Sequence, residues 1–127
     1  MMTNRFTAQS PTLSGTDATD TNYAINGSAF TAKVLSLKLI PATSVPTHAS
    51  NYITITAKSG STTLATFTTN SSGGAAMTAG TVYTMTLSGA GTELEIASGG
   101  LVTFEVAKAG TGPAYKFSGW VGFEAIH

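Results

Sequence analysis

Hydrolysis of a glycosidic bond needs two carboxyl groups aimed at one bond, and the residues of this chain that could supply them are Glu93, Glu95 and Glu105. Their placement argues against it. Glu93 and Glu95 alternate with Leu94 and Ile96, which puts the acids on the solvent side of a strand. Metal binding would call on His48, in a Pro/Thr stretch, and His127, the last residue, but the two lack paired ligand spacing. The oxygen-rich run Asp17-Ala18-Thr19-Asp20-Thr21-Asn22 could gather ligands for calcium, yet it has neither the glycine nor the distal glutamate of such a loop. It reads better as a capped turn or a polar extension. Ser14, followed directly by Gly15, lacks the setting of a nucleophile elbow. Gly110-Thr111-Gly112-Pro113 is followed by no Lys-Ser/Thr and no helix, so it is not a phosphate loop. Asn26-Gly27-Ser28 and Asn70-Ser71-Ser72 match glycosylation acceptors, as Asn/Ser-rich loops do by chance. The expectation is a protein with no catalytic residue, no metal, no cofactor and no enzymatic activity.

Composition narrows the partners. Six acidic and six basic residues leave a formal net charge of zero, and charged residues are 9% of the chain. No broad field is available to attract nucleic acid or an anionic membrane. Weak self-repulsion also suits a subunit of an assembly better than a free monomer at high concentration. Without cysteine there is no disulfide or thiolate staple. The opening stretch MMTNRFTAQSPTLSGTDAT lacks the apolar core of a secretory signal, and no run approaches the roughly 20 apolar residues that cross a bilayer. At 127 residues with 42% hydrophobic content, one domain with a modest core is expected.

The elements that would carry any site are strands. Leu35, Leu37 and Leu39 share one face with Ser36 and Lys38 on the other, and Pro41 ends the run because it cannot donate to a ladder. Tyr52 to Thr56 sets isoleucines against threonines, and Lys58-Ser59-Gly60-Ser61 is a hairpin turn. A third strand over Thr63 to Thr69 has Leu64 and Phe67 on opposite faces unless a bulge intervenes. Val82 to Leu87 points Tyr83, Met85 and Leu87 inward, and Leu94 and Ile96 belong to a shorter strand. Val102, Phe104 and Val106 face the core, and Phe117 to Ile126 forms the last strand, bent or bulged at Gly119 or Gly122. Seven or eight short antiparallel strands with turns every 8 to 12 residues, and no helix, specify an all-β sandwich or a closed barrel.

Residues 1–28 are rich in Thr, Ser, Asn and Asp, with only Phe6, Leu13, Tyr23 and Ile25 as large apolar groups. They read as a flexible leader or as an extended N-terminal arm docking on a neighbour, ahead of a β-sandwich domain over 29–127. The arm should be dispensable for folding. Phe117 and Phe123 share one face of the last strand and Trp120 the other, where it packs beneath the arm, meets a partner or stacks on a sugar. The contact residues expected are therefore Phe6, Leu13, Tyr23, Ile25 and Trp120.

The run from Val34 to Val106, with VLSLKLIP, NYITITAKSG, GGAAMTAGTVYTMTLSGAGTELEIASGG and LVTFEVAKAGTG, resembles the small β-sandwich or jelly-roll virion proteins of tailed bacteriophages. These are the head-decoration, cement and related structural proteins. The resemblance rests on the proline-ended strand, the Tyr-bearing strand with its turn, the Leu-Ser-Gly close and the LxFxVxKxGxG segment. It implies an antiparallel, jelly-roll-like β-sandwich in the virion. Such a protein is non-enzymatic, often a homotrimer, and binds the phage major capsid protein in many copies on the capsid exterior. A carbohydrate-binding or host-adsorption module is the alternative.

Overall fold

Alternating bulky and small polar residues resolve into ten strands in the computed structural model, which describes residues 4–15, 20–88 and 91–126. They are β1 (Arg5–Gln9), β2 (Leu13–Gly15), β3 (Asp20–Ile25), β4 (Ala32–Pro41), β5 (Tyr52–Ser59), β6 (Thr62–Thr68), β7 (Tyr83–Met85), β8 (Glu95–Ile96), β9 (Leu101–Ala109) and β10 (Tyr115–Ala125). A four-residue 3₁₀ turn, Gly91–Leu94, is the one helical element among the described residues. All ladders are antiparallel. The fold is the expected all-β sandwich, with seven strands from Ala32 onward and three more before it.

The first sheet runs β1-β10-β4-β7, with β2 extending the β1 row along β10 and β8 extending the β7 row along β4. The second runs β3-β9-β5-β6. Counting β1–β2 and β7–β8 as single rows, the first row lies beside the last, the second beside the seventh, the third beside the sixth and the fourth beside the fifth. The chain is thus a long folded ribbon whose halves pair throughout, and the ribbon closes over itself as two facing layers.

Between the layers lies one hydrophobic core. From the first sheet come Val34, Leu37, Leu39, Met85, Phe117, Val121 and Phe123; from the second, Ala24, Ile53, Ile55, Ala57, Leu64, Val102, Phe104 and Val106, all at most 3% exposed. On β10 the inward set is Tyr115, Phe117, Gly119, Val121 and Phe123. The glycine stands where Phe104 of β9 crosses the gap: a Cβ on Gly119 would lie 2.6 Å from the ring Cζ. Interiors packed at crystal density leave no slack for that atom.

Two bulges decide which side chains reach this core. Val34 is opposite Phe123 while Ser36 is opposite Gly122, so Leu35 is an extra residue on β4. The alternation therefore breaks, and Val34 takes the inward place expected for Leu35, which is 38% exposed. The irregularity falls at Gly122 as expected, but the inserted residue belongs to the partner strand. A second bulge sets Ala57 opposite Ala65 and Lys58 opposite Thr63, which makes Leu64 the inserted residue. Leu64 and Ala65 are both buried, and Phe67 packs against the core beside Tyr83, ring centroids 5.5 Å apart.

The strand expected over Val82 to Leu87 ends at Met85. Beyond it the chain crosses to the second sheet, where the Ser88 N–H donates to the Leu64 carbonyl at 2.7 Å. It returns through the 3₁₀ turn, which buries Leu94, before β8 pairs with β4.

The N-terminal segment is also corrected. β1 and β2 pair with β10, and β3 pairs with β9, so residues 5–15 and 20–25 carry edge strands of their own sandwich. Phe6 stacks on Phe123 at 5.1 Å, and Leu13 is fully buried. Between β1 and β2, Ser10 continues the ladder: its N–H donates to the Gly119 carbonyl at 2.8 Å and its hydroxyl accepts from the Gly119 N–H at 2.9 Å. An edge strand needs few apolar residues of its own when the neighbouring strand supplies both the hydrogen bonds and the core wall, so its composition imitates a loose arm.

Gly119→Ala should lower stability by about 1–3 kcal/mol through overpacking against Phe104. In a urea titration, adding Phe104→Leu should cost less in that background than in the parent, since the two sites share one contact. Removal of residues 1–22 should abolish the cooperative unfolding transition, read by circular dichroism, because it strips β1, β2 and Leu13 from the core.

Candidate functional site

The outer face of the second sheet is built from threonine. Thr54 and Thr56 on β5 stand opposite Thr68 and Thr66 on β6, with Thr54 and Thr68 hydroxyls 3.2 Å apart. Lys58 and Glu105 form a 2.9 Å ion pair on the same face. Toward the β3 edge the surface turns apolar. Tyr23 and Ile25, two residues apart on β3, are 49% and 53% exposed. Leu101, directly opposite Ile25 on β9, is 43% exposed. Large apolar side chains scattered singly are ordinary, whereas these three adjoin one another at one end of the sheet.

On the first sheet a shallow groove crosses the outer face. Gly122 forms its floor, since a Cβ there would meet the Ser36 hydroxyl at 2.5 Å. One end, about 270 Å³, is walled by Trp120, Ile40 and Val82 with Thr7 and Lys38 at the rim. The other, about 520 Å³, lies among Arg5, Phe6, Thr7 and Leu35. Arg5 pairs with Glu124 at 3.0 Å, and the Trp120 Nε1–H donates to the Ser118 hydroxyl at 3.2 Å.

The expected contact residues are thus divided. Tyr23 and Ile25 lie together on the second sheet, and Trp120 is half-buried on the opposite side of the molecule. Phe6 is half-buried against Phe123, and Leu13 belongs to the core rather than to any outer surface. Leu101 and Val82 extend the two surfaces and were not among the expected residues. Strict alternation through Val102, Phe104 and Val106 already places Leu101 outward.

Among the titratable side chains, Glu93 and Glu95 are exposed and Glu105 is held by Lys58. The His48 Nδ1 accepts from the Ser50 and Asn51 N–H groups at 2.9 and 2.8 Å, which ties the ring to its own loop. Asp20 spends its carboxylate on the Ser14 and Thr21 N–H groups. Asp17 and His127 lie outside the described residues. Among the described residues no three His, Asp or Glu side chains gather. The Gly110 loop is a turn held by the Thr111 N–H donating to the Asn51 Oδ1 at 3.1 Å. Asn26 is buried, so the fold leaves no room for a glycan there. Tyr83 has its hydroxyl lowered below the usual phenol range by hydrogen bonding to Thr78. Tyr115, 3% exposed over Gly15, is raised by burial and then by the nearby Asp20 carboxylate.

No protein-family model matches the chain, and no curated protein matches it. Among solved structures, a chain of the cyanophage Pam1 capsid asymmetric unit superposes with a TM-score of 0.56 and 22% identity. The match covers 98% of this chain and 86% of that one. The likeness is one of fold, and it extends through the N-terminal strands.

The Tyr115 shift carries a sign. A proton held more tightly in the folded state contributes stability below the unfolded phenol value of 10.0 and loses it as pH rises through the folded one. Tyr115→Phe should therefore gain on the parent protein in denaturant midpoint as pH passes above about 10, and show no such trend below about 9.

Proposed function

We propose that this chain is a structural, non-enzymatic protein of a phage virion, of the head-decoration or cement kind, and that it associates with other capsid proteins and with copies of itself. The carrying observation is that nearly its whole length shares a fold with a capsid chain. The row order supports a jelly roll, an architecture that recurs in viral capsids. The low charge and the apolar Tyr23, Ile25 and Leu101 strip support recognition by shape and desolvation rather than by electrostatic steering. We assign self-association, as a homotrimer, to this strip, and attachment to the major capsid protein to many weak contacts repeated around the shell.

A glycan-adsorbing module is the second reading, favoured by the indole of Trp120 beside Thr7, Ser36 and Lys38 in one groove. Mutating Trp120 to Ala would abolish glycan capture under that reading and leave particle binding intact under the first.

Sedimentation velocity on the purified chain tests the assignment. The parent should form a concentration-dependent trimer. Tyr23→Asp with Ile25→Asp should weaken it on the order of 100-fold, with an unchanged circular dichroism spectrum. A parent that stays monomeric at all concentrations removes the self-association surface. Failure to bind capsid shells in a pelleting assay removes the virion role.

A further inference from the structure

Asn26 is fully buried, and its side chain is engaged on every side. Its Nδ2 donates to the carbonyls of Phe30, Ile96 and Ala97 at 3.0, 2.9 and 3.2 Å. Its Oδ1 accepts from the N–H and hydroxyl of Ser28 at 3.1 and 2.8 Å. Its own N–H donates to the Gly100 carbonyl, and its carbonyl accepts from the Gly99 N–H, both at 2.9 Å. One side chain thereby clamps the β3–β4 connection to the turn between β8 and β9. The next residue is Gly27, exposed, with open space where a Cβ would stand. Of the asparagines in the chain, only Asn26 precedes a glycine. That pair is chemically the most prone to deamidation, because no β-carbon on the second residue shields its backbone nitrogen.

We propose that Asn26–Gly27 is a deamidation site shut by the fold and opened by unfolding, whose products are barred from returning to the native structure. In the unfolded chain the Gly27 nitrogen gives up its proton and attacks Asn26 Cγ. The new N–Cγ bond closes a succinimide as the Cγ–Nδ2 bond breaks, and Nδ2 leaves as ammonia. Water then opens the ring at either carbonyl, giving an aspartyl or isoaspartyl linkage. In the folded protein five hydrogen bonds hold the side-chain amide away from this attack. The reaction also destroys the clamp. A carboxylate would turn an acceptor oxygen toward the carbonyls of Phe30, Ile96 and Ala97 where the amide had donated, and a charge set against acceptors at a fully buried position is costly. An isoaspartyl linkage adds a backbone methylene as well. Chains that fold promptly stay intact, and chains that linger unfolded are withdrawn irreversibly.

The test holds the full-length protein at mildly alkaline pH, one sample folded and one in urea. Peptide mass spectrometry follows replacement of the Asn26 amino group by hydroxyl, and dilution from urea gives the refolded fraction. Conversion in urea should proceed over days with refolding yield falling in step. The folded sample should be protected on the order of 100-fold or more, because reaction through a rarely open state scales with its population. Gly27→Ala, which meets no atoms and needs no left-handed backbone, should fold with parental stability and keep its refolding yield through the same incubation. Equal conversion in folded and unfolded samples, or converted chains that refold with parental stability, would overturn the proposal. So would a Gly27→Ala chain that loses competence as fast as the parent.

Discussion

The ring of Phe104, on β9 of one sheet, reaches across to the one inward position of β10 in the other that has no side chain, and close packing there leaves no room for a β-carbon. β9 and β10 are the inner strands through which each layer joins its N-terminal edge: β10 carries β1 and β2, and β9 carries β3. A change in the separation between Phe104 and Gly119 would be felt by the rest of the core, because no row of the folded ribbon can move without its neighbour. The threefold economy of this arrangement lies in using one aromatic ring, one glycine and the hydroxyl of Ser10, which bonds to the same Gly119, to join both sheets and one edge.

With the apolar side chains drawn inward, the outer faces are left with hydroxyls, a few ion pairs and two apolar areas. The ion pairs are exposed and contribute little, since solvent screens them. What remains to distinguish one face from another is shape: a threonine-covered plane with an apolar edge at Tyr23, Ile25 and Leu101, and a groove floored by Gly122. The buried polar residues Asn26, Ser10 and Thr69 are each hydrogen-bonded where the backbone ladder alone would leave a gap.

Much of this was legible in residue order. Phe104, Val106, Val121 and Phe123 occupy the core because strict alternation leaves them no other face. The exceptions are where alternation itself is broken. Leu35 is indistinguishable from Leu37 by type or spacing, yet the bulge opposite Gly122 turns it to solvent. Leu64 and Phe67, three apart, come to the same side for the same reason. Leu13 looks like an isolated apolar residue in a polar leader until β10 is seen to run beside it.

Period-two patterning and glycine-bearing turns determined, from the chain alone, an antiparallel all-β sandwich. Those signals are local, and each strand carries its own. Only the tertiary structure decided which strands are neighbours, where a ladder admits an extra residue, and that the N-terminal residues close the sandwich. Register and edge placement depend on partners far away in sequence, and no window of residues contains both members of such a pair.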